Sequence, residues 1–313
     1  ELTHAAQTFA SATVDAPFDL SKVTSVWFDA TDIDGDGDTT DQKAGDVVTR
    51  VVDKSGNGND VTGFGTSAPE LQNLAMNNGN LSLYFDGDDN LSSGDNNPNL
   101  GTAGYTYLVS ASTPNYNTAD FNYLFGTRNG DDGVAMFLKN DGAKYHLNSV
   151  TSGPNFNSTD VGTGVTTRSV VLSDSTNPGV SRTFSQDGTE TSLPALTNLI
   201  AGTQLNLGST GKGQHRLIGD INEVLYFKRV LSDAEMRIVE NYLSSKWDSA
   251  LLASKDYYSG DTSANGDYDY NVTGILKLSG SNVAAGTKSG LTISNGNTDG
   301  FLKDSGDAAF VGH

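Results

Sequence analysis

Between Thr24 and Asp41 the sequence reads TSVWFDATDIDGDGDTTD, where an alternating apolar run stops and a dense row of aspartates begins. Asp32, Asp34 and Asp36 alternate and Gly37 follows. This is the D-x-D-x-D-G opening of a loop whose odd positions turn oxygens onto a calcium ion while the glycine permits a sharp bend. Asp38 and Asp41 come next. Short carboxylates so crowded repel one another at pH 7, and a hard divalent cation relieves them. A solvated acidic turn is the plain alternative, but it has no need of that alternation with a glycine in register.

The loop is not an EF-hand. Position twelve is Lys43 where that motif has a bidentate glutamate, and Val26 to Phe28 reads as a strand where it has a helix. The closing carboxylate must come from elsewhere, Asp41 or Asp46 being nearest in sequence. Asp86, Asp88 and Asp89, with Asp95 and Asn97, form a second cluster of the same character, so several calcium ions are expected. Arg128 beside Asn129, Asp131 and Asp132 sets a cation next to acidic loop residues. That loop is the candidate ligand contact, set against an ordinary glycine-rich hairpin turn.

The elements that position such loops must be strands. The chain has 313 residues, 36 of them Gly, and turn-forming runs recur throughout, which suits many short strands joined by elaborate loops. Strands are predicted over 47–53, 81–86, 105–111, 121–127, 134–139, 144–150, 167–173, 180–186, 204–209 and 216–228. That number predicts an all-β, two-sheet sandwich. In GDINEVLYFKRVL, Ile221, Leu225 and Phe227 share one face and Asn222, Tyr226 and Lys228 the other, with Glu223 the one charge on the apolar side. Ser232 and Glu235 then form a capping box, and Met236, Val239, Leu243 and Trp247 recur at helical spacing. One C-terminal amphipathic helix is expected to pack on the sandwich, with Trp247 a core anchor. After it the texture turns polar, so residues 1–249 read as one domain and 250–313 as an appended β segment or the start of another.

Composition narrows the partners. Acidic residues number 38 against 19 basic ones, giving a net charge of −19, a field that repels nucleic acid and anionic membranes. Cys is absent, which removes disulfides and thiolate chemistry and leaves calcium as the staple. Calcium loops of this weak kind need the free ion found outside cells, so an extracellular module cut from a longer secreted chain is expected. Enzymatic activity is not expected: Glu223 has no acidic neighbour two or four positions on, the four histidines show no metal spacing, and G-x-S-x-G is missing.

SVWFDA, DKSGNGND, LYFDGDDNL and GDINEVLYFKRVLSDAEMRIVENYLSSKW together resemble a bacterial laminin-G-like jelly roll of the concanavalin type, over about Ser25 to Trp247. The tail is similar to the opening of a domain that often follows these jelly rolls in bacterial surface proteins. With its aspartate loop the chain further resembles ligand-binding modules of giant calcium-dependent RTX adhesins, including their peptide-binding domain. The resemblance implies a monomeric, calcium-loaded sandwich on a bacterial cell surface, active in cell adhesion and biofilm formation, with the metal role carried by Asp32, Asp34 and Asp36. The expected ligand is a peptide or protein on another cell, its C-terminal carboxylate completing an exposed calcium, since a carboxylate binds a cation better than a hydroxyl does. A calcium-dependent lectin for cell-surface glycans is the rival reading. Tyr105, Tyr107, Tyr116, Phe121 and Tyr123 supply its rings, although alternation assigns one face of each tyrosine strand to the core.

Overall fold

The computed structural model describes residues 18–63, 67–94, 104–127, 133–150, 156–164, 168–177, 179–196, 203–211, 213–266, 268–270, 272–278, 281–286 and 304–312. In chain order the strands begin with β1 (Phe18–Asp19), β2 (Val26–Asp29), β3 (Arg50–Val51), β4 (Val61–Thr62), β5 (Glu70–Asn73), β6 (Leu81–Asp86) and β7 (Leu91–Ser92). There follow β8 (Tyr105–Ser112), β9 (Asn122–Gly126), β10 (Val134–Leu138), β11 (Tyr145–Val150), β12 (Phe156–Val161), β13 (Val170–Thr176), β14 (Arg182–Gln186) and β15 (Thr189–Leu193). The last are β16 (Asn206–Leu207), β17 (Ile218–Phe227), β18 (Thr273–Leu278), β19 (Ser281–Gly286) and β20 (Ala308–Val311). A short helix α1 (Leu20–Val23) follows β1, and α2 (Asp233–Trp247) follows β17.

Two antiparallel sheets stack as a jelly-roll sandwich. One runs β15-β14-β13-β8-β17-β6-β5 and the other β12-β11-β10-β9-β16-β7-β4-β3. The long strand β17 gives one edge to β8 and shares its other edge between β6, along Ile218 to Ile221, and β2, along Glu223 to Tyr226. Between the sheets Tyr107 meets Phe125 edge-on at 5.5 Å, and Tyr226 stacks on Tyr105. The strands with strong alternation or apolar runs form where the sequence places them. Two short strands, β4 and β7, lie outside those places, and so do three longer ones, β5, β12 and β15, of sequences ELQN, FNSTDV and TETSL. All three are sheet edges, where one-sided pairing makes no demand for an apolar pattern.

The face assignment of β17 needs correction. Tyr226, expected to face outward, lies inside the sandwich, while Glu223 and Leu225 face α2; both faces of the strand are buried. The reason is that α2 lies between this sheet and a third sheet, β1-β19-β18-β20. The helix is therefore covered nearly all round, and Arg237, Glu240, Asn241 and Lys246 are buried along with the expected stripe. Its start is the capping box: Ser232 Oγ accepts from the Glu235 amide, and the Ser232 amide donates to Glu235. Trp247 is fully buried, and truncation of such a ring removes about 3–5 kcal/mol. The sheet beyond residue 250 draws its fourth strand from Phe18–Asp19, which pairs in parallel with β19. No helix among the described residues is long and apolar enough to cross a membrane.

Candidate functional site

The aspartate loop springs from the end of β2. Carboxylate oxygens of Asp32, Asp34 and Asp36 lie within 4.8 Å of one another, with Asp32 buried and the other two exposed. Ligands of one calcium ion sit 2.3–2.6 Å from it, and so no more than about 5 Å apart, which this group satisfies. Gly35 and Gly37 take positive φ (73° and 93°), and a Cβ on Gly35 would come 2.9 Å from Val52. Local bonds hold the curl: the Gly37 amide donates to Asp32, the Asp38 amide to Asp36, and the Gln42 side chain ties Ile33 to Asp34. Asp38 turns onto Thr40, whose hydroxyl and amide bonds hold its carboxyl below the usual range. Desolvation, then the charges of Asp34, Asp36 and Asp38, push Asp41 up, whereas Asp46 accepts from the Lys43 amide in its own turn.

Asp32 also ends a buried chain of charges. Lys54 Nζ bridges Asp32 (2.8 Å) and Asp29; Lys246 Nζ bridges Asp29 (2.7 Å) and Glu223 (2.9 Å). Glu223 further accepts from Trp27 Nε1, Tyr242 OH and Trp247 Nε1 at 2.8–2.9 Å, and the two ammoniums lie over Trp27 and Trp247 at 4.8 and 4.9 Å. Burial alone would raise Asp29, but Lys246 and Lys54 more than reverse it and hold the carboxyl well below its ordinary value. The lone inward charge of Glu223 was the sequence signal for this network; its lysines gave none.

The second acidic group, Asp86, Asp88 and Asp89, also gathers within 4.8 Å. Asp89 accepts from the Asp86 amide and Asp86 from the Asp88 amide. Burial, then the neighbouring Asp86 and Asp88 charges, push Asp89 up to about 6. Asp95 and Asn97 lie outside the described residues, as do Arg128, Asn129, Asp131 and Asp132.

A different surface stands on the outer face of β9, β10 and β11. The β9–β10 register shifts between Met136 and Phe137, leaving Leu124 without a partner on β10, so Tyr123 comes opposite Phe137 on the side away from the core. Phe137 pairs in turn with His146 on β11, and His146 with Asp160 on β12. Bulges of this kind re-aim side chains beside sites. Phe121, half-buried, rests its ring against Phe137, His146 and His215 at centroid distances of 6.0, 5.3 and 5.9 Å. Each histidine is held by a carboxylate: His146 Nδ1 to Asp160 at 2.9 Å, and His215 Nδ1 to Asp120 at 2.6 Å. The bonds from His146 and Lys139 hold Asp160 below the usual carboxylate range. Of the rings offered by the sequence, Tyr105 and Tyr107 are core; Tyr105 OH donates to Asp174, which Arg182 grips with two bonds of 2.6 Å. The two His–Asp pairs went unseen because β12 carries Asp160 and was not read as a strand, and because His215 is brought in by the turn before β17.

No family model and no curated protein matches the chain. Among solved structures it is similar to the botulinum neurotoxin type G receptor-binding domain, at 13% identity and a TM-score of 0.49, covering 75% of this chain and 57% of that one. It is also similar to a GH54 α-L-arabinofuranosidase, at 16% identity and TM-score 0.47 over 75% and 56%. The Ruminococcus gnavus IT-sialidase CBM40, solved with α2,3-sialyllactose, aligns at 16% identity and TM-score 0.36 over 43% and 80%. The chain spans little more than half the length of the first two, and at these levels what those proteins bind stays with them.

Proposed function

We propose that this protein is an extracellular, lectin-like module that binds neutral glycans on the outer face around Phe121. The observation that carries this reading is the half-buried Phe121 ring flanked by two carboxylate-held histidines. An aromatic face takes the C–H side of a pyranose, while Asp120, Asp160 and the imidazoles meet its hydroxyls. Nδ1 of each imidazole is taken up by its carboxylate, which leaves Nε2 of His146 and His215 to meet a sugar hydroxyl. The same carboxylates, on a chain of net charge −19, disfavour an anionic sugar or a free peptide terminus at this face. The facing pair Asp29 and Glu223 is buried and bridged by Lys246, out of reach of a substrate, which supports binding without hydrolysis.

Calcium enters this reading as a staple, held by Asp32, Asp34 and Asp36 with Asp41 closing, and it supplies charge neutralisation for the loop. Exposure of Asp34 and Asp36 supports a second reading, the RTX-adhesin type of capture in which a peptide C-terminal carboxylate completes that ion. A glycan array with neutral and sialylated members, run beside free-acid and amidated peptides, separates the two. Binding to neutral glycans that falls about tenfold in Phe121→Ala is expected. Calcium-dependent binding of free-acid peptides alone, indifferent to Phe121→Ala, gives the function to the loop instead.

A further inference from the structure

Where the edge of one sheet, at the end of β12, meets the edge of the other, at the β14–β15 hairpin, a cavity of about 420 Å³ opens, closed below by residues 250–252. Gly162 (φ 61°) lets the two edges approach: a Cβ there would come 2.3 Å from Gln186 Oε1, which accepts from the Thr163 amide at 2.8 Å. The lining has two characters. Ala250, Leu251 and Leu252 form an apolar side, with Leu252 45% exposed. Thr163, Thr189 and Thr191 bring hydroxyls, and Arg168 and Asp187 bring the two charges of the lining. These charges are not equally presented. Asp187 is tucked into the hairpin turn: its Oδ1 accepts from the Val171 amide and the Ser249 hydroxyl at 2.8 Å each, its Oδ2 from Arg168 at 2.7 Å, and its side chain is 8% exposed. The Arg168 side chain is 41% exposed. Its Nη1 donates to the Ser169 carbonyl at 2.9 Å and to Ser249 at 3.4 Å, so the guanidinium is held in a closed ring with Asp187 and Ser249. Solvent therefore meets a cation fixed in place, while its countercharge is turned inward onto buried donors.

We infer that this cavity binds a small organic carboxylate with an aliphatic part, its charge on Arg168 and its chain along Leu251 and Leu252. A planar guanidinium matches a carboxylate with two parallel bonds, and a side chain already fixed loses little freedom on binding. Covering the exposed leucine adds apolar burial, and the volume is that of a small-molecule site. No ring lines the cavity, so it lacks the stacking platform that a pyranose uses. On a chain of net charge −19, an anion needs a local cation of this kind in order to approach. The site shares no residue with the outer face around Phe121 and is independent of the glycan reading.

The test titrates the whole chain with isocaproate, its amide and glucuronate, followed by NMR chemical shifts. Isocaproate should bind, and its amide should bind about tenfold more weakly, the loss expected when charge-assisted bonds are removed. Arg168→Gln should weaken isocaproate by a similar factor. Because that change also strips Asp187 of its cation, Leu252→Glu serves as a second variant. It alters an exposed side chain, sets a negative charge on the rim, and should weaken isocaproate roughly fivefold while sparing the amide. Isocaproate that binds no more tightly than its amide, a folded Arg168→Gln chain with the parent's affinity, or a Leu252→Glu titration superimposable on the parent's overturns the assignment. Glucuronate binding as tightly as isocaproate overturns its aliphatic half.

Discussion

Replacing Lys246 by Met removes one of two ammoniums from a buried group of three carboxylates. In the parent Lys246 lies 2.7 Å from Asp29 and 2.9 Å from Glu223, with side-chain exposures of 5% or less. Lys54 is engaged with Asp29 and Asp32, so Glu223 is left with only the neutral donors Trp27, Tyr242 and Trp247. Breaking a buried pair from one side costs about 3–5 kcal/mol, which for a domain of this size lowers Tm by roughly 6–15 °C. Adding Glu223→Gln restores the parent's charge balance, so the double variant should be more stable than Lys246→Met alone. Both tryptophans of the chain touch the network, and urea unfolding followed by their fluorescence reports on it directly. The pH profile gives a second readout. Asp29 is depressed in the folded state, so the stability it lends is whole above about pH 4 and falls as the pH drops toward its folded pKa; Lys246→Met should flatten that acid limb. A Lys246→Met chain within about 1 kcal/mol of the parent, or one further destabilised by Glu223→Gln, refutes the reasoning.

Burial outweighs the bonds from Gln72 and Ser82 and pushes Asp220 up to about 6, so the stability it lends is whole below about pH 4 and lost as the pH rises through 6. Asp220→Asn should therefore stabilise by ~1–2 kcal/mol at pH 7 and by almost nothing at pH 4, as read from denaturation midpoints. EDTA should lower Tm by roughly 5–10 °C, reversibly with calcium, and Asp34→Ala with Asp36→Ala should show much of that loss without chelator. A melting curve indifferent to EDTA removes the calcium staple. Phe121→Ala should keep the parent's Tm within a few degrees while losing glycan affinity, since that ring is half-buried at the surface.

The sandwich was legible where burial writes a pattern. Tyr105 to Ala111, Val134 to Leu138 and the capping box at Ser232 each follow from local chemistry. The aspartate loop was legible for the same reason, since Asp32, Asp34 and Asp36 lie close in sequence and the gathering of their carboxylates is local. Sites assembled across strands were not. His146 meets Asp160 only through the pairing of β11 with β12, and Lys246 meets Asp29 across 217 positions. The helix misled in a particular way. Its apolar stripe implied one buried face, whereas a third sheet covers the other, and charges such as Arg237 and Glu240 therefore pair inside.

That third sheet also sets how the molecule bears a pull. β1 runs parallel to β19, and β18 is antiparallel to both β19 and β20, so β1 and β20 point the same way. Tension applied at Phe18 and at Val311 drags these two strands in opposite directions along their own axes. The ladders that join them through β19 and β18 lie across that direction and are loaded side by side in shear rather than opened one after another. The force passes through four short strands and leaves the sandwich, with its aspartate loop and its aromatic face, outside the load path.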